Sequence, residues 1–98
     1  MSRKVKISKT AERKLEKLFN YLIENWSKKV KTDFIKKLDS SIDSIKSNPT
    51  MFPEIYKNAG IYKCVITKQT SLYYKFNTKT IFIVTIFDTR QDPSKLKI

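Results

Sequence analysis

The hydrophobic period of this 98-residue chain changes once, near its midpoint, and that change limits the fold more than any other feature. In the first half, apolar side chains recur at helical spacing. Leu15, Leu18, Phe19, Leu22, Ile23 and Trp26 stand at i, i+3, i+4, i+7, i+8 and i+11. They form one stripe on a helix of about four turns, with Ser8 or Thr10 as its N-cap and Trp26 as the last core residue. Ser27 offers a second cap, and Val30, Phe34, Leu38, Ile42 and Ile45 continue the pattern to Ser47. Asn48-Pro49 ends that helix, because the residue before a proline is pushed out of the helical region. Two such stripes joined by so short a link predict an antiparallel helical hairpin.

From Ile61 the period is two. Tyr62, Cys64 and Ile66 share one face of a strand, and Lys63, Val65 and Thr67 the other. Leu72, Tyr74 and Phe76 repeat the arrangement with Tyr73 and Lys75 opposite. The polar links Lys68-Gln69-Thr70 and Asn77-Thr78-Lys79 make a meander of hairpins. The third strand, Thr80 to Phe87, is apolar at nearly every position, which predicts a central strand covered on both faces. Lys4 to Ser8 suits a short edge strand, and residues 48–60, with two prolines and Gly60, read as a loop. The sum is one α+β domain over residues 1–98: an N-terminal antiparallel helical hairpin packed on one face of a three- to four-stranded antiparallel β-sheet. A domain of this length has a radius of gyration of about 13 Å, so a site is a surface groove or a shallow cleft.

Composition removes whole classes of chemistry. With no histidine there is no Ser-His-Asp triad and no Cys-His pair, and the commonest zinc ligand is missing. One cysteine, Cys64, excludes an intrachain disulfide and a CxxC metal site, and its alternation with Tyr62 and Ile66 makes it a small core residue. One glycine, Gly60, excludes phosphate-binding glycine loops. No metal and no cofactor are expected. The 21 Lys and Arg against 9 Asp and Glu give +12, which favours a polyanion or an acidic protein partner. Only Arg3, Arg13 and Arg90 are arginines, so forked readout of bases is not expected. The basic N-terminus has no apolar stretch behind it, and the longest apolar run, Ile81 to Val84, is far too short for a bilayer. The cytoplasm is the expected compartment, with no membrane partner.

The candidate binding residues lie on the strands. Lys63 and Lys75 project from the sheet face opposite Tyr62 and Cys64, and Arg90 follows the last strand within reach of that face. The three together suit a phosphate, and Tyr73 beside them suits base stacking. Plain readings exist for each: solvated strand lysines, cross-strand packing of Tyr73, and an Arg90 paired with Asp88 or Asp92 to pin the tail. Val65, Tyr73, Phe82, Val84 and Ile86 make the outer face too apolar for water, the mark of an interface.

The chain resembles the RelE/ParE superfamily of bacterial type II toxin–antitoxin toxins. The residues that carry the likeness are Ile7-Ser8-Lys9-Thr10-Ala11, Leu15, Tyr21, Trp26-Ser27, Phe34, Leu38, Ile45, Asn48-Pro49, Phe52-Pro53, Lys63, Tyr73-Tyr74 and the closing Asp88-Thr89-Arg90-Gln91-Asp92-Pro93. The resemblance implies a growth-arresting toxin neutralised by a cognate, often acidic antitoxin that covers the outer sheet face and the helical hairpin. It also implies one of two targets. RelE-like members cleave mRNA in the ribosomal A site, and ParE-like members act on DNA gyrase.

Metal-free RNA cleavage needs a base, an anion stabiliser and an acid. An ordinary lysine is neutral in only about one molecule in a few thousand at pH 7, so a lysine base requires a strong shift. Against the RelE nuclease pattern, Val65 stands where a second lysine is expected and Ser71 where an arginine is expected. Residues 91–98 hold neither aromatic nor histidine. Lys63 and Arg90 alone remain as catalytic candidates should the chain be an RNase. The ParE-like reading is therefore preferred, with the RelE-like ribonuclease as the alternative. A small nucleic-acid-binding module is the remaining reading, although no helix-turn-helix, zinc finger or RNP-like motif is present. Titration with generic duplex and single strands across salt separates it: a Kd weaker than about 10⁻⁶ M at physiological salt leaves only nonspecific attraction.

Overall fold

The computed structural model describes residues 3–56 and 60–90. The two helices form where their apolar stripes predict. Helix α1 is Lys9–Asn25, and Ser8 caps it by accepting the Ala11 amide at 3.0 Å. Helix α2 is Lys28–Ser47, capped in the same way by Ser27, whose hydroxyl accepts the Val30 amide at 3.1 Å. Asn48 ends α2, and Pro49–Met51 make a single 3-10 turn. Ala11, Leu15, Leu18 and Leu22 of α1 meet Phe34, Leu38 and Ile45 of α2 and the sheet in one core. Phe19 and Phe34 pack edge to face across the hairpin at 6.2 Å.

The sheet has five strands, β1 Lys4–Ile7, β2 Glu54–Tyr56, β3 Ile61–Val65, β4 Thr70–Phe76 and β5 Thr80–Asp88, in the order β1-β5-β4-β3-β2. Two features depart from the sequence reading. Glu54–Tyr56 is a strand within the predicted loop, antiparallel to β3, and three residues after Pro53 are too few to show alternation. The sheet is also mixed, because β1 runs parallel to β5 with Val5 opposite Ile81 and Ile7 opposite Ile83. Hydrophobic alternation records which face a residue takes and carries no strand direction.

On β4 and the first half of β5 the alternation holds. Leu72, Tyr74 and Phe76 face the helices, and Tyr74 lies opposite Ile83 and Phe76 opposite Ile81. The register then slips. Tyr73 pairs with Thr85 while Tyr74 pairs with Ile83, so Val84 is an extra residue, a β-bulge. Its carbonyl is not left bare: the Ser8 hydroxyl donates to it at 2.7 Å, and the Ser8 amide donates to the Ile83 carbonyl at 3.0 Å. The cap of α1 and the bulge of β5 are thus one joint.

The bulge corrects one expectation. Ile86, predicted on the outer face, is 3% exposed within the core, because the extra residue inverts parity beyond Val84. Trp26, predicted in the core, is 58% exposed. Helix α1 ends one residue before it, and the amides of Trp26 and Ser27 both turn back to the Leu22 carbonyl, which takes the indole off the buried stripe. The last strand is not covered on both faces by the described elements, since Phe82 remains 37% exposed. Cys64 is buried as expected, and burial raises its thiol pKa while a hydrogen bond with Ser41 works the other way. Among the described residues no helix is long and apolar enough to cross a membrane.

Tyr74 joins the sheet to the end of α2. Its ring stacks on Tyr62 at 5.6 Å, and its hydroxyl donates to the Pro49 carbonyl at 2.6 Å. Burial raises the phenol pKa, so it stays a donor across the working pH range. Tyr74→Phe strands the Pro49 carbonyl, and urea unfolding is expected to show a loss of roughly 1–3 kcal/mol with an unchanged m-value.

Candidate functional site

The predicted binding residues divide between the two faces of the sheet. On the outer face Lys63 lies opposite Tyr73 and Lys75 opposite Phe82. Lys75 is exposed and Lys63 half-buried. Tyr73 is 2% exposed and stands outside the helix-facing core cluster, so it is no open stacking platform. Val65 is 59% exposed, and Val84, at the bulge, is half-buried. Phe82 and Val84, with Ile7, Ser8 and Ile83, line an open groove of about 460 Å³ flanked by Lys6 and Lys75. The register puts Lys4 and Lys6 of β1 on this face also, so its described strand residues include four lysines and no carboxylate. Lys6 was legible in the sequence, since it alternates with Val5 and Ile7.

Arg90 does not join that group. Parity inversion at Val84 turns Asp88 to the helix-facing side, where it pairs with Thr70 and is 5% exposed. Arg90 follows it there. Its Nη2 lies 2.7 Å from Asp88 Oδ2, its Nε 3.1 Å and its backbone amide 2.9 Å from Oδ1. The Thr70 hydroxyl donates to Oδ2, and Arg90 Nη2 donates to Thr70 Oγ at 3.4 Å. Burial alone would raise the Asp88 pKa, but the Arg90 side chain, the Thr70 hydroxyl and the Arg90 amide together hold it below the ordinary aspartate value. The bond to Asp88 in turn raises Arg90, and Tyr21 of α1 is close enough to add to that rise. Asp92 and the tail beyond Pro93 lie outside the described residues.

The two clusters therefore differ in what they can do. The outer lysines can attract an anion or an acidic chain around an apolar groove. In the Asp88–Arg90–Thr70 cluster both Asp88 oxygens and the Thr70 hydroxyl are matched, and Nε and Nη2 of the guanidinium are engaged by its own neighbour. Thr70 escaped the sequence reading because only the cross-strand register reveals its partner. Among the described residues no group of three or more His, Cys, Asp or Glu is placed to hold a metal.

Asp88 makes the stability of this cluster depend on pH. Its folded pKa is lower than its unfolded one, so it stabilises the fold above the ordinary aspartate range and that stability is lost as pH falls through the folded value. Asp88→Asn is expected to lower stability at pH 7 by roughly 1.5–3 kcal/mol. It is also expected to flatten the acid limb of a stability–pH curve below about pH 4, read by denaturant melts at each pH.

A model of the family described as the ParE toxin of type II toxin–antitoxin systems, parDE, matches residues 5–93 of the chain. No curated protein matches its sequence. Among solved structures it is similar to a chain of the chromosomal ParDE toxin–antitoxin system from P. aeruginosa, with TM-score 0.72 and 10% identity over 89% of this chain and 96% of that one. It is also similar to a chain of the RelBE2 toxin–antitoxin complex from Mycobacterium tuberculosis, with TM-score 0.63 and 14% identity over 90% and 99%. The YoeB–YefM complex from Staphylococcus aureus gives TM-score 0.63 and 18% identity over 89% and 97%. At these identities the likeness is one of fold.

Proposed function

We propose that this chain, which belongs to the ParE toxin family of type II toxin–antitoxin systems, arrests growth by inhibiting DNA gyrase. The observation that carries this reading over mRNA cleavage is the engagement of Arg90. A phosphodiester cleaver needs a cation free to meet the charged phosphorane, close to its base. Here Arg90 is forked onto Asp88 on the helix-facing side of the sheet, while Lys63 and Lys75 stand on the other side. Val65 and Ser71 stand where the ribonuclease pattern resembled above calls for a lysine and an arginine. What remains suits a protein that binds its target.

The antitoxin's seat, in this reading, is the outer sheet face. Phe82, Val84 and Val65 offer an apolar surface, and Lys4, Lys6, Lys63 and Lys75 favour an acidic segment there. Val84→Lys puts a charge in the groove and is expected to abolish co-purification with the cognate antitoxin while the thermal midpoint stays within a few degrees. Unchanged co-purification by a folded variant would remove the antitoxin from this face.

The activity test is direct. Purified toxin is expected to block gyrase-catalysed supercoiling of relaxed plasmid, and a short induction in cells to leave message ends unaltered as filamentation sets in. New 5′ ends accumulating in frame at the ribosomal A site would instead install the ribonuclease, with Lys63 and Arg90 as the first residues to substitute.

A further inference from the structure

We infer that Trp26, with Ile23 one turn before it, is the knob through which this toxin enters its target, in an apolar pocket of gyrase rimmed by carboxylates. The inference rests on the gyrase reading above and names the toxin's half of that contact.

Two features of the hairpin tip are unfavourable in the isolated chain. Trp26 is the only tryptophan and is 58% exposed, and Ile23, three residues before it in the last turn of α1, is 38% exposed. Both leave apolar surface in water with no packing gain. The first turn of α2 holds Lys28, Lys29 and Lys31 and no acidic residue, which sets cations against the positive end of the helix. Lys31 is drawn to the half-buried Phe19 ring, 5.4 Å from its centre, a favourable contact, while Lys28 and Lys29 are exposed. A partner with an apolar pocket and an acidic rim relieves both penalties at once.

The tip is also built to hold its shape. The amides of Trp26 and Ser27 both donate to the Leu22 carbonyl at 3.0 Å, the Asn25 side chain donates to the Tyr21 carbonyl at 3.0 Å, and Ser27 caps α2. A large aromatic on a fixed turn loses little freedom on binding, as tryptophan hot spots at protein interfaces require. The groove lined by Phe82 and Val84 belongs to the opposite side of the sheet from the helices, so an antitoxin seated in that groove leaves the tip open to the target.

The test uses the full-length toxin, its single tryptophan labelled as 5-fluorotryptophan, and gyrase supercoiling as the activity. Trp26→Ala is expected to raise the toxin concentration for half-inhibition at least about tenfold. Its melting midpoint and antitoxin affinity should stay within twofold or a few degrees of wild type. Met51→Ala, which removes another exposed apolar side chain (55%) from a different part of the fold, should inhibit like wild type. The fluorine resonance should shift and broaden with gyrase and stay in place with antitoxin. Wild type that inhibits gyrase while Trp26→Ala inhibits equally overturns the knob alone. A resonance that moves with antitoxin and not with gyrase assigns the tip to the antitoxin and overturns it as well. Wild type that leaves supercoiling untouched overturns the gyrase reading, and the target assignment falls with it.

Discussion

The bulge at Val84 is the constraint on which the rest of this structure turns. One extra residue in β5 moves every later side chain to the opposite face of the sheet. Ile86 then fills the core with Leu72, and Asp88 meets Thr70 under the helices. Without the extra residue the outer face would continue Phe82, Val84, Ile86 and Asp88, and Arg90 would follow Asp88 to that face. The bulge persists because its carbonyl has a donor. Ser8 supplies it from the same hydroxyl that accepts the Ala11 amide in the first turn of α1, so helix start and sheet irregularity satisfy each other.

Charge is distributed with the same economy. Among the described residues the direct ion pair is Arg90 with Asp88, 2.7 Å apart and largely shielded from solvent. Its value is less in Coulomb energy than in satisfying the buried Asp88 carboxylate and Thr70 hydroxyl, since a buried carboxylate left unmatched is costly. Most of the remaining cations face water. On the outer sheet face they frame an apolar groove, and at the hairpin tip they frame an indole. A net +12 becomes informative only when it is read face by face.

The chain belongs to the ParE toxin family and shares its fold with structures named for ParDE, RelBE and YoeB–YefM, and a shared fold does not by itself fix function. Function rests on which side chains the scaffold leaves free. Here the arginine after the last strand is engaged by its neighbour, whereas the largest aromatic is left in solvent. Both facts support the proposed reading, target binding by a gyrase inhibitor.

The amino-acid pattern by itself determined both helices to within a residue of their ends, the meander of β3 to β5, the burial of Cys64 and the exposure of Val65. Those are local matters: apolar spacing, a capping hydroxyl, a proline that ends a helix. It could not show that Glu54–Tyr56 joins the sheet, that β1 runs parallel to β5, or that Trp26 turns outward, because pairing, direction and the last half-turn of a helix depend on residues far along the chain. The candidate site was the least legible part. Lys63 and Lys75 follow strict alternation and were found on the expected face, but Ile86 and Arg90 lie beyond an insertion that alternation cannot see. Only the tertiary structure decided their side of the sheet, because it alone brings the Ser8 hydroxyl to the carbonyl of Val84.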